Sequence, residues 1–144
     1  MLYIDSNVLI GAVEADLNKS DLIAFLLSPE ARTHPLHTSE ITLSEVLVGP
    51  LRQSDHDLIH WYRRLFERAD LLRLWPVTRA ILETAAELRA ASAMRLPDAI
   101  HVATAIAAGC GTILSRDKRL FLTAGLRQID PFAKAVDQWM GDIR

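Results

Sequence analysis

Leu2-Tyr3-Ile4-Asp5-Ser6-Asn7-Val8-Leu9-Ile10 joins a short apolar run to a second apolar stretch through one acid and two small polar residues. Leu2-Tyr3-Ile4 predicts a buried strand, and the residues from Asn7 or Val8 onward predict a helix. Asp5 therefore stands where strand gives way to helix. The same succession recurs down the chain. Leu71 to Val77 and Thr112-Ile113-Leu114 read as further buried strands, with Leu36-His37-Thr38 and Arg127-Gln128-Ile129 as less apolar ones. Between them, Leu22, Ile23, Phe25, Leu26 and Leu27 predict a helix capped near Ser20. Leu58, Ile59, Trp61, Tyr62, Leu65 and Phe66 predict another, with Arg63, Arg64, Glu67 and Arg68 on its wet side. Ile81, Leu82, Ala85 and Leu88 follow the candidate N-cap Thr78 at helical spacing. Pro97 suits the first turn of a helix running through His101 to the stop signal Gly109. A last helix is expected from Pro131 towards Trp139. Strands alternating with helices predict an α/β fold, a parallel sheet with helices on both faces. There is no internal repeat, low-complexity tract or linker, so residues 1–144 are expected to form one domain.

Half of the 144 residues are hydrophobic and 24% are charged, an ordinary globular balance. The one cysteine, Cys110, lies between Gly109 and Gly111 beside an alanine-rich helix and reads as a buried structural thiol. A lone cysteine fits a reducing compartment. No apolar run approaches the ~20 residues that span a bilayer. The opening residues lack the basic region and long apolar core of a signal peptide. A soluble cytoplasmic protein with no membrane partner is the expectation. The net charge is −2, of which four acids discussed next supply −4, so the rest of the chain carries +2. A mildly basic surface around a neutralised acidic site is compatible with a polyanionic ligand.

Those acids are Asp5, Glu45, Asp98 and Asp117. Each is flanked by residues that favour burial: Tyr3-Ile4 before Asp5, Leu43 and Val46-Leu47 around Glu45, Ala99-Ile100 after Asp98, Leu114 shortly before Asp117. An isolated buried carboxylate is costly and is normally paired, coordinated to a metal or neutralised. In open α/β sheets ligands bind beyond the carboxyl ends of strands, where the winding order reverses. Asp5 and Asp117 both follow predicted strands, so both can reach that edge. Asp98 sits in a first helical turn, and Glu45 on a helix whose neighbours Ile41, Leu43, Val46, Leu47 and Val48 leave little room for a solvated face. Carboxylate oxygens suit hard cations such as magnesium and manganese. A bound divalent ion activates water and stabilises charge on a phosphoryl oxygen; two ions about 4 Å apart clamp attacking and leaving oxygens. Each acid also has a purely structural reading: Asp5 as an N-cap, Asp98 as a favourable charge at a helix start, Asp117 as a turn aspartate beside Arg116, Lys118 and Arg119. Glu45 is the hardest to read that way.

The ordered set of motifs resembles the PIN domain, a small metal-dependent nuclease fold, and in particular the VapC-like toxins of type II toxin–antitoxin pairs. The resemblance spans the chain. It is carried by Ile4-Asp5-Ser6-Asn7-Val8-Leu9-Ile10, Ser44-Glu45-Val46-Leu47, Leu96-Pro97-Asp98-Ala99-Ile100-His101 with Ala103-Thr104-Ala105, and Ile113-Leu114-Ser115-Arg116-Asp117. It implies a three-layer α/β/α sandwich around a mostly parallel sheet. It further implies an endoribonuclease using one or two Mg²⁺ or Mn²⁺ ions, with Asp5, Glu45, Asp98 and Asp117 as catalytic acids and metal ligands. Cleavage would leave 5′-phosphate and 3′-hydroxyl ends. Asn7 and Ser115 match supporting polar positions that orient Asp5 and the metal's water. Arg116, Lys118 and Arg119 are candidates for gripping phosphates, or merely a solvated charge run. The resemblance also implies RNA as substrate, a cognate antitoxin that places a basic side chain among the acids, and a homodimer. Gly49-Pro50 departs from the pattern and is expected to kink or end the helix that carries Glu45.

His101 follows Asp98 by three and shares its helix face, either assisting at the site or serving as a supporting or core histidine. His34, His37, His56 and His60 lack zinc spacing. Trp61, Tyr62, Leu65 and Phe66 form an apolar stripe, expected in the core or as a partner surface. Other readings of the acids are a housekeeping RNA-processing nuclease, an aspartyl phosphatase or phosphoacceptor, and a non-catalytic binding module. Phosphatases of that type want a second Asp two residues after the first, where this chain has Asn7.

Overall fold

The computed structural model describes residues 1–14, 22, 24, 25, 28–123, 125–133 and 138. Among them, five strands form one sheet: β1 (Leu2–Ile4), β2 (Leu36–Ser39), β3 (Leu72–Trp75), β4 (Thr112–Leu114) and β5 (Arg127–Ile129). The helices are α1 (Ser6–Glu14), α2 (Pro29–Thr33), α3 (Ile41–Gln53), α4 (His56–Phe66), α5 (Arg79–Ala90) and α6 (Leu96–Ala107). The strands run parallel throughout in the order β3-β2-β1-β4-β5. The chain starts in the middle, winds outward through β2 and β3, and returns to the other side of β1 with β4. That reversal sets the carboxyl ends of β1 and β4 side by side, with Ile4 registered on Leu114. The ladder continues past the strands, as Asp5 N–H donates to the Leu114 carbonyl at 3.0 Å.

Side chains alternate across β1. Leu2 and Ile4 join a core with Val8 and Leu9 of α1, Val46 of α3 and Tyr62, Leu65 and Phe66 of α4. Tyr3 points the other way, into a core built by Ile81, Ala85 and Leu88 of α5 and Ala99 to Ala105 of α6. Helices thus cover both faces of the sheet, as the strand–helix alternation predicted, giving the three-layer α/β/α sandwich that the resemblance implied.

Local chemistry sets the boundaries. Thr78 caps α5, its hydroxyl accepting from Ile81 N–H at 3.3 Å, and Asp55 caps α4 through Leu58 N–H at 3.1 Å. Gly109 takes a positive φ of 69° just beyond α6, as a left-handed helix stop requires. β3 is shorter than the apolar run from Leu71 to Val77, because Leu71 belongs to the preceding turn and Pro76 has no N–H for the ladder.

The expected break at Gly49-Pro50 does not occur: α3 runs through Pro50 to Gln53. Proline there lies in the last turn, so it removes only the bond to the Val46 carbonyl, and its ring is buried along the Thr42–Val46–Pro50 stripe. The helix does have a wet side: Val48 is 43% and Leu51 55% exposed. Of the aromatic stripe on α4, Tyr62, Leu65 and Phe66 are buried whereas Trp61 is 38% exposed. The helix expected near Ser20 and the one from Pro131 towards Trp139 fall largely outside the described residues.

Candidate active site

Asp5 leaves β1 at the switch point and enters α1 with its backbone, not its side chain: Val8 and Leu9 N–H donate to its carbonyl, each at 3.2 Å. The carboxylate is spent elsewhere. It is only 3% exposed, and three polar side chains hold it. Ser115, one residue past β4, donates its hydroxyl to Oδ2 at 2.7 Å, Asn7 donates to the same oxygen at 3.0 Å, and Ser6 reaches Oδ1 at 3.3 Å. These polar contacts fix the direction of the buried carboxylate.

Glu45 comes to Asp5 from α3. Ser6 donates to Glu45 Oε2 at 2.8 Å while touching Asp5, so one hydroxyl links the two acids. His101, buried on α6, makes the second link: its Nε2 lies 2.7 Å from Glu45 Oε1 and 3.5 Å from Asp5 Oδ1. Burial alone would push the Glu45 carboxyl up. The His101 hydrogen bond and charge, the Ser6 hydroxyl and the charge of Arg95 outweigh it and hold that carboxyl below the usual range. Burial likewise opposes the imidazolium of His101, yet the bond to Glu45 and the charges of Asp5, Glu45 and Asp98 together raise its pKa.

Asp98 and Asp117 border this pair. In the first turn of α6, Asp98 accepts from Arg95 Nε at 3.1 Å. Asp117 is clasped by Arg119 through Nε at 3.0 Å, Nη2 at 3.1 Å and its backbone N–H at 2.9 Å. That clasp, helped by Arg95, lowers the Asp117 pKa although partial burial opposes it. The loop bearing Asp117 is fastened from below by Gln128 of β5, which donates to the carbonyls of Ser115 and Asp117 at 3.0 and 2.7 Å. The four acids share one electrostatic neighbourhood. The charge of Arg95 reaches Asp98, Glu45 and Asp117, and Asp98 in turn acts on both His101 and Arg119.

Among the described residues, no group of three or more acidic, histidine or cysteine side chains lies close enough to cage a metal ion as placed. The donor set nevertheless suits a hard cation, being four carboxylates. Protein groups already pair these acids: His101 lies between Asp5 and Glu45, Arg95 on Asp98 and Arg119 on Asp117.

The remaining expectations divide. Asn7 and Ser115 both donate to Asp5, and each also orders the next loop: Arg116 N–H donates to Asn7 Oδ1 at 3.3 Å and Asp117 N–H to Ser115 Oγ at 3.1 Å. Of the three basic residues, Lys118 is exposed and Arg119 is occupied by Asp117. Arg116 lies with its guanidinium 5.1 Å above the Phe132 ring. Gly11 makes that stack fit, since a Cβ there would meet the Phe132 ring at 3.1 Å. Ser6, Tyr3 and Arg95 were not singled out from the sequence. Ser6 had a signal, standing between Asp5 and Asn7 in the opening motif; Tyr3 and Arg95 had none.

The PIN domain sequence profile matches residues 2–126. No curated protein matches. Among solved structures, a toxin–antitoxin complex from Klebsiella pneumoniae superposes with a TM-score of 0.64 at 23% identity, covering 88% of this chain and 95% of that one. VapC20 of Mycobacterium tuberculosis, described as a sarcin–ricin-loop-cleaving toxin, gives 0.65 at 16% identity over 83% and 92%. FitAcB from Neisseria gonorrhoeae gives 0.68 at 19% identity over 93% and 100%.

Proposed function

Because the chain belongs to the PIN domain family, we propose that residues 1–144 form one nuclease domain: a divalent-cation-dependent endoribonuclease, the toxin of a toxin–antitoxin pair. The observation that carries the reading is the pair Asp5 and Glu45, which share Ser6 and His101 beyond the carboxyl end of β1, with Asp98 on Arg95 and Asp117 on Arg119 within range of the same charges.

Asp5, Glu45, Asp98 and Asp117 would hold one or two Mg²⁺ or Mn²⁺ ions. When bound, the cation supplies Lewis-acid charge at the scissile phosphate and lowers the cost of deprotonating water. Asp5 is the fixed ligand, aimed by Asn7, Ser6 and Ser115. Asp98 and Asp117 release Arg95 and Arg119, whose side chains are 67% and 70% exposed and so can meet RNA phosphates. Arg116, stacked on Phe132, and the exposed Lys118 extend the same basic rim. Two features support the toxin role: the shared fold with toxin–antitoxin structures, and the exposed apolar residues Val48, Leu51 and Trp61, which offer area to an antitoxin or a second copy of the chain. No helix of the described residues is long and apolar enough to cross a membrane; the cytoplasmic location belongs to the proposal and rests on the RNA substrate it assigns.

The test is induction of the wild-type chain and of Asp5→Asn in a bacterial host, with mapping of new RNA 5′ ends. The proposal expects growth arrest and discrete 5′-phosphate ends with the wild type only. Ends without arrest remove the toxin role and keep the nuclease; ends in both strains remove the site.

A further inference from the structure

Tyr3 is 0% exposed and carries a hydroxyl where a phenylalanine would fill the same core. Nothing in phosphodiester hydrolysis calls for that oxygen, and a buried polar atom needs partners. Its partners lead to the site. Ser39 N–H donates to Tyr3 Oη at 3.0 Å, and Oη lies 2.7 Å from His101 Nδ1, with the two rings edge to face at 5.8 Å. The other imidazole nitrogen, Nε2, is the one set between Asp5 Oδ1 and Glu45 Oε1.

We infer that Tyr3 and His101 form a positioning brace, in which the Tyr3 hydroxyl clamps the imidazole by Nδ1 so that Nε2–H cross-links Asp5 and Glu45. This deepens the metal-dependent reading above and rests on it. The hydrogen-bond network places the hydrogen. Carboxylate oxygens only accept, so Nε2 facing two of them must carry a hydrogen. Ser39 takes one Oη lone pair, which leaves Oη able to accept from Nδ1–H of the imidazolium or to donate to Nδ1 of the neutral ring; in both states it holds Nδ1 and leaves Nε2–H on the acids. A ring flipped by 180° would offer carbon to Tyr3 and to both acids, so the clamp selects one of two otherwise similar ring orientations. Asp5 and Glu45 approach from different elements, β1 and α3, and repel. A donor fixed between them sets their spacing before any cation arrives. Such partners behind metal ligands are worth roughly 10–100-fold in metal affinity.

The test uses the full chain stripped of metal, with two readouts: Mn²⁺ affinity by titration calorimetry, and the Nε2–H signal of His101 in a ¹H–¹⁵N correlation spectrum. Tyr3→Phe deletes one atom and keeps the ring. It is expected to speed exchange of the Nε2–H by at least about 10-fold and to weaken Mn²⁺ binding by about the same factor. His101→Gln, whose amide still donates, should retain most of the affinity that His101→Leu loses. The brace is overturned if folded Tyr3→Phe keeps both the protected Nε2–H and wild-type affinity. Should the wild type itself take up no Mn²⁺, the metal-dependent reading fails and the ring signal decides the brace: unchanged protection in Tyr3→Phe overturns it, lost protection upholds it. If His101→Leu does not fold, Tyr3→Phe and His101→Gln carry the comparison.

Discussion

Ser115 and Asp5, 110 positions apart, meet at 2.7 Å, hydroxyl to carboxylate. The same oxygen accepts from Asp117 N–H at 3.1 Å and from Asn7 Nδ2 at 3.4 Å, so its one donor and both lone pairs are engaged. One atom thereby joins the acid after the first strand to the acid after the fourth. Ser115→Ala should lower stability by about 1.5–3 kcal/mol, the range for a buried bond to a charged group. Urea unfolding checks this; a loss under about 0.5 kcal/mol would show that the junction is not strained by removing the hydroxyl.

A cation bridging the acids should stabilise the fold by mass action. At 100 times its dissociation constant, Mn²⁺ adds about 2.7 kcal/mol, roughly 5–10 °C in melting temperature for a chain of this size. Asp5→Asn should show no such rise. An equal shift in both proteins would place the binding elsewhere.

Without metal, the Glu45–His101 pair makes stability depend on pH in two directions. His101 is raised in the folded state, so its contribution is complete below its ordinary 6.5 and is lost as pH climbs through the higher folded value. Glu45 is lowered, so its contribution is complete above 4.5 and is lost as pH falls through the lower folded value. Denaturation midpoints in chelator are therefore expected to peak between these limits and decline at alkaline pH. In His101→Gln the alkaline decline should flatten; a decline of unchanged slope would assign it to other groups.

Burial pushes the Cys110 thiol up to about 11. At pH 8 only about one molecule in a thousand then carries the reactive thiolate, against roughly a quarter for an ordinary cysteine. Disulfide reagents should label the native protein at least about 100-fold more slowly than the urea-unfolded chain. Comparable rates would mean that the end of α6 opens readily.

Gly11 and Phe132 set a packing limit beside the basic rim. A Cβ at residue 11 would come within 3.1 Å of the Phe132 ring on which Arg116 rests. Gly11→Val should cost about 1–3 kcal/mol by overpacking. It should also weaken RNA binding by the metal-free protein if Arg116 grips phosphate. Filter binding with wild-type strength would remove Arg116 from the substrate surface.

The strands were legible in the sequence because each is a short apolar run bounded by turn residues; Leu2–Ile4, Thr112–Leu114 and Arg127–Ile129 appear where they were expected. Gly49-Pro50 misled because the effect of proline depends on where in a helix it falls, which spacing alone does not give. The acids were legible as an ordered set. Their partners were not. Sequence places His101 on the face of Asp98, yet its hydrogen bond goes to Glu45, 56 positions away and on a different helix. Tyr3 looks like any strand aromatic until Ser39 and His101 are seen around its oxygen. A run of cations likewise says nothing of which one turns back onto its own aspartate, as Arg119 does.

The strand order has a bearing on synthesis. β1 occupies the centre of the sheet, but its neighbour β4 is translated only after all six described helices. A nascent chain thus carries Asp5 through most of its time on the ribosome with the Ser115 seat unmade and Asp117 not yet polymerised. The pocket around Asp5 therefore closes only once the last of the described helices and β4 have left the ribosome.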